Sequence, residues 1–271
     1  LTGARLAGLR TAVATCGYYL DEKAAQRLKK AGVMSVSFSL DGVDERTHDG
    51  FRQSEGAFET ALRAIDTARE AGLAFQINTT ITTLNAGQVE ALAQKSVELG
   101  ATCWNPFILV PVGRGEAIRT LLLGPQEYED LLVRLAKLKE ALPIELRLTC
   151  GPQFARVARQ EKIEKAERVV GCLAATDFAF ISYTGDVQTC GFLEISAGNL
   201  VENGFDFGSI WMGSDYLNSL RDLGRYKGAC GRCGYLAVCR GCRARAQAAS
   251  GDSLQQDPIC KLADRTERGQ S

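Results

Sequence analysis

Seven of the chain's ten cysteines crowd between Cys172 and Cys260, while Cys16, Cys103 and Cys150 are scattered before them. The crowded set runs Cys172, Cys190, Cys230-x2-Cys233-x5-Cys239-x2-Cys242 and, after seventeen intervening residues, Cys260. Two thiolates separated by two residues can hold one metal centre, because the intervening turn aims both sulfurs inward. A disulfide scaffold is short, secreted and loop-rich. This chain has 271 residues and a long cysteine-poor half with regular α/β patterning. The cysteines therefore predict a metal-binding region, and an all-cysteine site suits zinc or an iron–sulfur cluster. The only histidine, His48, lies far from the crowd, which excludes a finger with two histidine ligands. Seven cysteines do not fill two four-cysteine sites. Either Cys150 supplies the eighth ligand or one centre keeps an open position. Cys16 and Cys103 read as ordinary buried thiols.

The first half repeats a strand–helix unit. Ala24, Ala25, Leu28 and Ala31 share a helical face that stops at Gly32, and Val33–Leu40 reads as the next strand. A second stripe (Phe58, Ala61, Leu62, Ile65, Ala68) stops at Gly72 and leads into strand Ala74–Ile81. A third (Val89, Leu92, Ala93, Val97) stops at Gly100 and leads into Ala101–Val110, and Leu9–Thr15 reads as a strand before the first helix. Strands alternating with amphipathic helices predict right-handed βαβ units and a parallel sheet. Parity then divides the strands. Val36, Phe38 and Leu40 share one face and Ser37, Ser39 and Asp41 the other; Gln76, Asn78 and Thr80 oppose Phe75, Ile77 and Ile81. Polar residues near the carboxyl ends of parallel strands lie where α/β folds place ligands. The competing reading is that these small groups satisfy one another in the interior.

Beyond Gly113-Arg114-Gly115 comes a helix with Tyr128, Leu131, Leu132, Leu135 and Leu138, then Pro143 and a short strand, Ile144–Leu148. The charged stretch 151–168 reads as a helical, solvated connector. We place the domain boundary near 145–150, giving domains 1–148 and 149–271. In the second, Phe178–Tyr183 and Val187–Phe192 around Thr184-Gly185-Asp186 predict a β-hairpin, and Ile210–Leu220 reads as a helix. Lysine plus arginine equals aspartate plus glutamate at 32 each, which argues against a nucleic-acid partner bound by bulk positive charge. No apolar run approaches the roughly 18–20 residues of a bilayer span, so no membrane partner is expected. The chain opens on Leu1 without the regions of a signal peptide and reads as a fragment or processed chain.

Cys172-x12-Gly185-x4-Cys190, the Cys230–Cys242 run and Cys260 together resemble the SPASM auxiliary-cluster domain of radical S-adenosylmethionine enzymes. Ser39-Leu40-Asp41-Gly42, followed by Thr47-His48-Asp49 and Arg52, is similar to the fourth-strand region of their barrel. Within that superfamily the chain looks most like the heme synthases of the siroheme-dependent heme pathway. The stretches that carry this likeness are residues 75–82, Gly113-Arg114-Gly115, Gly171-Cys172-Leu173, residues 187–193 and residues 239–246. The resemblance implies an α/β fold: a partial (β/α)6 TIM-like barrel lacking its first strands, then a small cysteine-rich SPASM domain with a β-hairpin. It implies oxidative decarboxylation of two propionates of iron-coproporphyrin III to the vinyl groups of heme b. The implied cofactors are S-adenosylmethionine and 4Fe-4S clusters, two of them auxiliary. Cys230, Cys233, Cys239 and Cys260 would hold one; Cys172, Cys190 and Cys242, with Cys150, the other. Ser39, Asp41 and Asn78 become candidates for the S-adenosylmethionine site, and Arg114 for a substrate carboxylate. A tetrapyrrole substrate, an electron donor such as a flavodoxin or ferredoxin, and a cytoplasmic location follow from the same likeness.

There are departures. The C-x3-C-x2-C motif of a third, catalytic cluster and a Gly-Gly-Glu-Pro segment are not in this sequence. Both would be expected before Leu1, so the chain alone is not expected to initiate radical chemistry. Gln153 stands where the resemblance leads one to expect histidine, which removes an ionisable group. Two other readings remain: a SPASM maturase acting on a peptide, and a non-catalytic iron–sulfur or zinc electron-transfer module.

Overall fold

The computed structural model describes residues 1–263, which form two compact units. Unit 1 comprises Leu1–Ile108 and Lys137–Thr149; unit 2 comprises Leu109–Ala136 and the chain from Cys150 onward. The units are not consecutive halves. The stretch 109–136, with the Gly113-Arg114-Gly115 loop, groups with the cysteine-rich part.

Unit 1 begins with helix α1 (Thr2–Leu6) and strand β1 (Ala12–Thr15). Helix α2 (Glu22–Lys30) starts where the Asp21 carboxylate accepts the Ala24 N–H at 2.7 Å, and its last turn carries Arg27, Lys29 and Lys30 against the helix dipole. Strand β2 (Ser35–Ser39), helices α3 (Glu45–Arg52) and α4 (Ala57–Glu70), strand β3 (Phe75–Ile81), helix α5 (Val89–Glu98) and strand β4 (Cys103–Ile108) follow. Helix α6 (Pro125–Ala141), which belongs to unit 2 as far as Ala136, leads to the short β5 (Glu145–Leu146) of unit 1. Among the described residues these strands form one sheet in the order β1-β2-β3-β4-β5, every pairing parallel.

The expected α/β class and parallel sheet are therefore present, as an open sheet. Helix α3 is an addition to the sequence reading, capped by Asp44, which accepts from the Thr47 N–H at 2.8 Å. Burial along β3 alternates residue by residue, with Phe75, Ile77, Thr79 and Ile81 inside. Its register aligns Ser39 with Asn78 and Asn78 with Asn105, a polar row across three strands. Cys103 is buried, as expected, but Cys16 is exposed, at the open edge just after β1.

Unit 2 contains α7 (Phe154–Gln160), an antiparallel hairpin of β6 (Phe180–Ile181) and β7 (Val187–Gln188), then α8 (Phe207–Gly213) and α9 (Asp215–Arg221). It closes with α10 (Gly228–Gly231), α11 (Leu236–Cys239) and α12 (Arg243–Ser250). The hairpin is present but short, because Cys190 bridges to Leu193 and bends the second strand away. The helix expected over 210–220 is broken at Ser214, whose backbone is extended. The solvated connector is corrected in its first half, where Phe154–Ala158 of α7 are buried, while residues 160–168 are largely exposed as expected. The charge that made it look exposed, Arg156, is neutralised by a two-point ion pair with Glu129. Among the described residues no helix is long and apolar enough to cross a membrane.

Candidate functional site

In unit 2, Cys230, Cys233, Cys239 and Cys260 line one cavity that is partly open to solvent. Cys230 lies in α10, and the Cys233 N–H donates to its carbonyl at 3.1 Å, the one-turn bite that paired thiols need. Cys239 ends α11, and Cys260 is brought in by a turn in which its N–H donates to the Asp257 carbonyl at 3.2 Å. The thiols surround a space rather than converge on a point. Among the described residues no three His, Cys, Asp or Glu side chains are gathered closely enough to hold a single ion. A tetrahedral zinc site would draw four sulfurs to about 2.3 Å from one atom, so the wider cradle fits a multinuclear cluster better.

The remaining thiols of this half gather separately. Cys242 forms a small core with Val110, Leu193 and Ala244, against which Cys150 and Cys190 pack. Cys172 shares the electrostatic neighbourhood of all three. The structure thus brings Cys150 together with Cys172, Cys190 and Cys242, and splits the Cys239-x2-Cys242 pair between two sets. The split is made by the turn between them, where Arg240 (φ 62°) and Gly241 (φ 59°) are both left-handed. A Cβ on Gly241 would run into the Arg243 guanidinium and stand 3.0 Å from Asp257 Cβ and 3.3 Å from Cys230 Sγ, so only glycine fits. The sets stay linked through backbone: the Cys172 N–H donates to the Cys239 carbonyl at 3.1 Å. A Cβ on the preceding Gly171 would collide with that same oxygen. Cys150 is itself left-handed at φ 58°, backbone strain of the kind that collects at functional sites.

Burial pushes the Cys260 thiol up to about 11 and the Cys190 thiol up to about 12. It raises Cys150, Cys239 and Cys242 as well. Such thiols ionise at neutral pH only against strong positive charge, which a metal supplies. The donor set fits an iron–sulfur group in the kind of ligand it offers and in the shape of the cavity.

The protein places cations here too. Arg156 and Arg240 line the first cavity. Arg243 is buried, donates to the carbonyls of Ser253 and Gln255 at 2.7 Å each, lies over the Tyr226 ring and has Nη2 3.8 Å from Cys230 Sγ. Arg245 is 1% exposed and pairs with the fully buried Asp257 through Nε and Nη2, both at 3.0 Å. Asp257 also accepts from the Cys242 N–H and from Gln153 Nε2, each at 2.7 Å. Burial pushes the Asp257 carboxyl up, but Arg245 and these hydrogen bonds outweigh it and hold it below the usual range. Gln153 completes the chain by accepting from the Tyr128 hydroxyl at 2.9 Å. A neutral amide suits this place, since it must accept from a phenol on one side and donate to a carboxylate on the other.

In unit 1, Ser39 and Asn78 lie in the polar row and are partly exposed. Asn78 Oδ1 accepts from Gln76 at 3.0 Å and Asn105 at 3.3 Å. Asp41 differs from them: it is fully buried, and its carboxylate accepts from the Thr80 N–H and from Arg52 Nε, both at 2.6 Å. Its N–H donates to His48 Nδ1 at 2.9 Å, and its carbonyl accepts from Asn85 at 2.8 Å. Asp41 therefore ties the carboxyl ends of β2 and β3 together. Arg114 is exposed in unit 2.

The sequence reading gave no role to Arg156 or Asp257, and Arg240, Arg243 and Arg245 entered it only within a matched stretch. A signal was present: three arginines fall at 240, 243 and 245, around Cys242 and between Cys239 and Cys260. A thiolate-rich interior needs such counter-charges.

Residues 3–96 match the radical SAM superfamily, and residues 172–243 match an iron-sulfur cluster-binding domain, SPASM. The chain is 38% identical to the AdoMet-dependent heme synthase of Nitratidesulfovibrio vulgaris, over 95% of this chain and 73% of that protein. It is 40% identical to the AdoMet-dependent heme synthase of Methanosarcina barkeri, over 94% of this chain and 75% of that one. In fold it is similar to Streptococcus suis SuiB bound to precursor peptide SuiA, with a TM-score of 0.71 at 17% identity, covering 95% of this chain and 60% of that one.

Proposed function

The chain belongs to the radical SAM enzymes that carry a SPASM iron–sulfur domain, and from that premise we propose that it decarboxylates two propionates of iron-coproporphyrin III to give heme b. The observation that carries this reading is the likeness to heme synthases along nearly the whole chain. In each turn a propionate loses a hydrogen atom, carbon dioxide and one electron and is left as a vinyl group. When bound, S-adenosylmethionine and the iron–sulfur clusters supply the hydrogen-atom abstraction and the electron transfer.

The chain's own residues do the holding and orienting. Cys230, Cys233, Cys239 and Cys260 would hold one auxiliary 4Fe-4S cluster, and Cys150, Cys172, Cys190 and Cys242 a second. The shared cavity and the common electrostatic neighbourhood support this division. Ser39 and Asn78 would meet S-adenosylmethionine with their polar groups, while Asp41 would act on the same site by fixing the ends of β2 and β3. Arg114, with its exposed guanidinium, would pair with a propionate. A tetrapyrrole is thus the substrate, and a flavodoxin or ferredoxin suits the electron supply.

The test uses protein expressed from the full open reading frame and reconstituted anaerobically. It is incubated with S-adenosylmethionine, a reductant and iron-coproporphyrin III, and the porphyrin is followed by mass. Stepwise loss of two carboxyl groups with 5′-deoxyadenosine is expected. Deoxyadenosine formed over an unchanged porphyrin would refute the substrate and move the search to peptides.

A further inference from the structure

The four-thiol cavity in unit 2 contains a group that its four ligands do not explain. Arg240 lines that cavity, and its Nη1 is buried with no hydrogen-bond partner. A buried guanidinium N–H without an acceptor loses its hydration with nothing in return, so natural structures seldom leave one. The backbone at Arg240 adds to the cost. Its φ of 62° lies in the left-handed region, which is strained for a residue with a Cβ and free for glycine. Asparagine or glycine would make the same turn more cheaply. The position therefore spends backbone strain and an unpaired donor on one long cationic side chain, beside thiols that carry negative charge when ligated.

We propose that Arg240 donates a hydrogen bond from Nη1 to the iron–sulfur group held by Cys230, Cys233, Cys239 and Cys260, and thereby raises that group's reduction potential. Hydrogen bonds and net charge around the sulfurs are the levers by which a protein sets such a potential. Reduction adds an electron to an already negative group, so a fixed cation that also donates favours the reduced state. Arg240 is a positioning residue, acting on the cluster rather than on the substrate. The neighbouring cations already have partners: Arg156 is locked to Glu129, and Arg243 gives Nη1 to two carbonyls and Nη2 to Cys230 Sγ at 3.8 Å. Arg240 is the guanidinium lining this cavity whose buried N–H is left over. The inference rests on the proposed cluster in this cavity, and its test separates the two.

The test is an EPR-monitored redox titration of the reconstituted full-length protein, with iron and sulfide quantified in every sample. The signal lost in Cys233→Ala identifies the cluster in question. Arg240→Gln is expected to keep its iron and to lower the reduction equilibrium of that signal about tenfold, equivalent to about 59 mV for one electron. Arg240→Lys, which keeps the charge but not the fork, is expected to fall between. Arg232→Gln, an exposed position nearby, removes the same charge and is expected to leave the potential where it was. An unchanged potential in Arg240→Gln at full iron content overturns the inference while leaving the cluster in place. If Arg240→Gln does not retain iron, Arg240→Lys decides by the same criterion. A wild-type protein without iron and sulfide in this cavity removes the premise and the inference with it.

Discussion

Asp257→Asn should destabilise unit 2 far more than an isosteric change normally would. One Asp257 oxygen accepts from Arg245 Nε, and the other from Arg245 Nη2, Gln153 Nε2 and the Cys242 N–H. An asparagine has one accepting oxygen and one donating amide. Whichever way it turns, an NH2 faces a donor, and the Arg245 cation stays buried and unpaired. Breaking a buried pair from one side costs about 3–5 kcal/mol. With an m-value of about 2–3 kcal/mol per M of urea, a loss of about 4 kcal/mol lowers the unfolding midpoint by about 1.3–2 M. Anaerobic urea titration followed by tryptophan fluorescence reads this, since Trp211 lies in unit 2 and packs against its core. Arg245→Met combined with Asp257→Asn should recover at least half of the loss, because the stranded cation is what makes the single change costly. A midpoint shift below about 0.3 M, or a double variant no better than the single one, would refute this reasoning.

Burial, more than the nearby charges, lowers the pKa of His48, the chain's only histidine, and its Nδ1 accepts the Asp41 N–H. The folded state therefore binds its proton more weakly than the unfolded one. Its contribution to stability should be complete above about pH 6.5 and decline as pH falls below that value; urea midpoints between about pH 5 and 7 should lose that slope in His48→Asn. Gly241→Ala must place a Cβ against Arg243 and beside Cys230 Sγ at φ 59°. It should cost about 2 kcal/mol or more and reduce bound iron, checked by thermal unfolding and metal analysis. Asn78→Ala should weaken S-adenosylmethionine binding about fivefold to tenfold, the worth of one lost hydrogen bond, with the fold unchanged by circular dichroism.

Much of unit 1 was legible because its signals are local. The alternation in residues 75–81 has the period of a half-buried strand, and the burial of β3 follows it. The stripes ending at Gly32, Gly72 and Gly100 became α2, α4 and α5. Helix α3 was not legible, since Glu45–Arg52 is almost entirely polar and takes its start from a cap rather than an apolar face. Helix α7 misled for a related reason: a charged residue looks solvated until its partner is known, and Glu129 lies far from Arg156 in sequence. Asp41 shows the same limit at finer scale. Strand parity puts it beside Ser39, but its carboxylate is spent on Thr80 and Arg52. In unit 2, cysteine spacing marked the metal chemistry, while the gathering of Cys150 with Cys172, Cys190 and Cys242 depends on a fold that spacing does not contain.

That gathering is where the account is most directly exposed to test. Iron and sulfide should be measured, together with Mössbauer spectra, in the reconstituted full-length protein and in Cys150→Ala and Cys233→Ala. Two separate four-thiol sites predict that each variant loses the spectral component of a different cluster, about four iron atoms at a time, while the other component stays intact. Loss of the same component in both variants, or an unaltered spectrum in Cys150→Ala, would contradict the division of these eight cysteines.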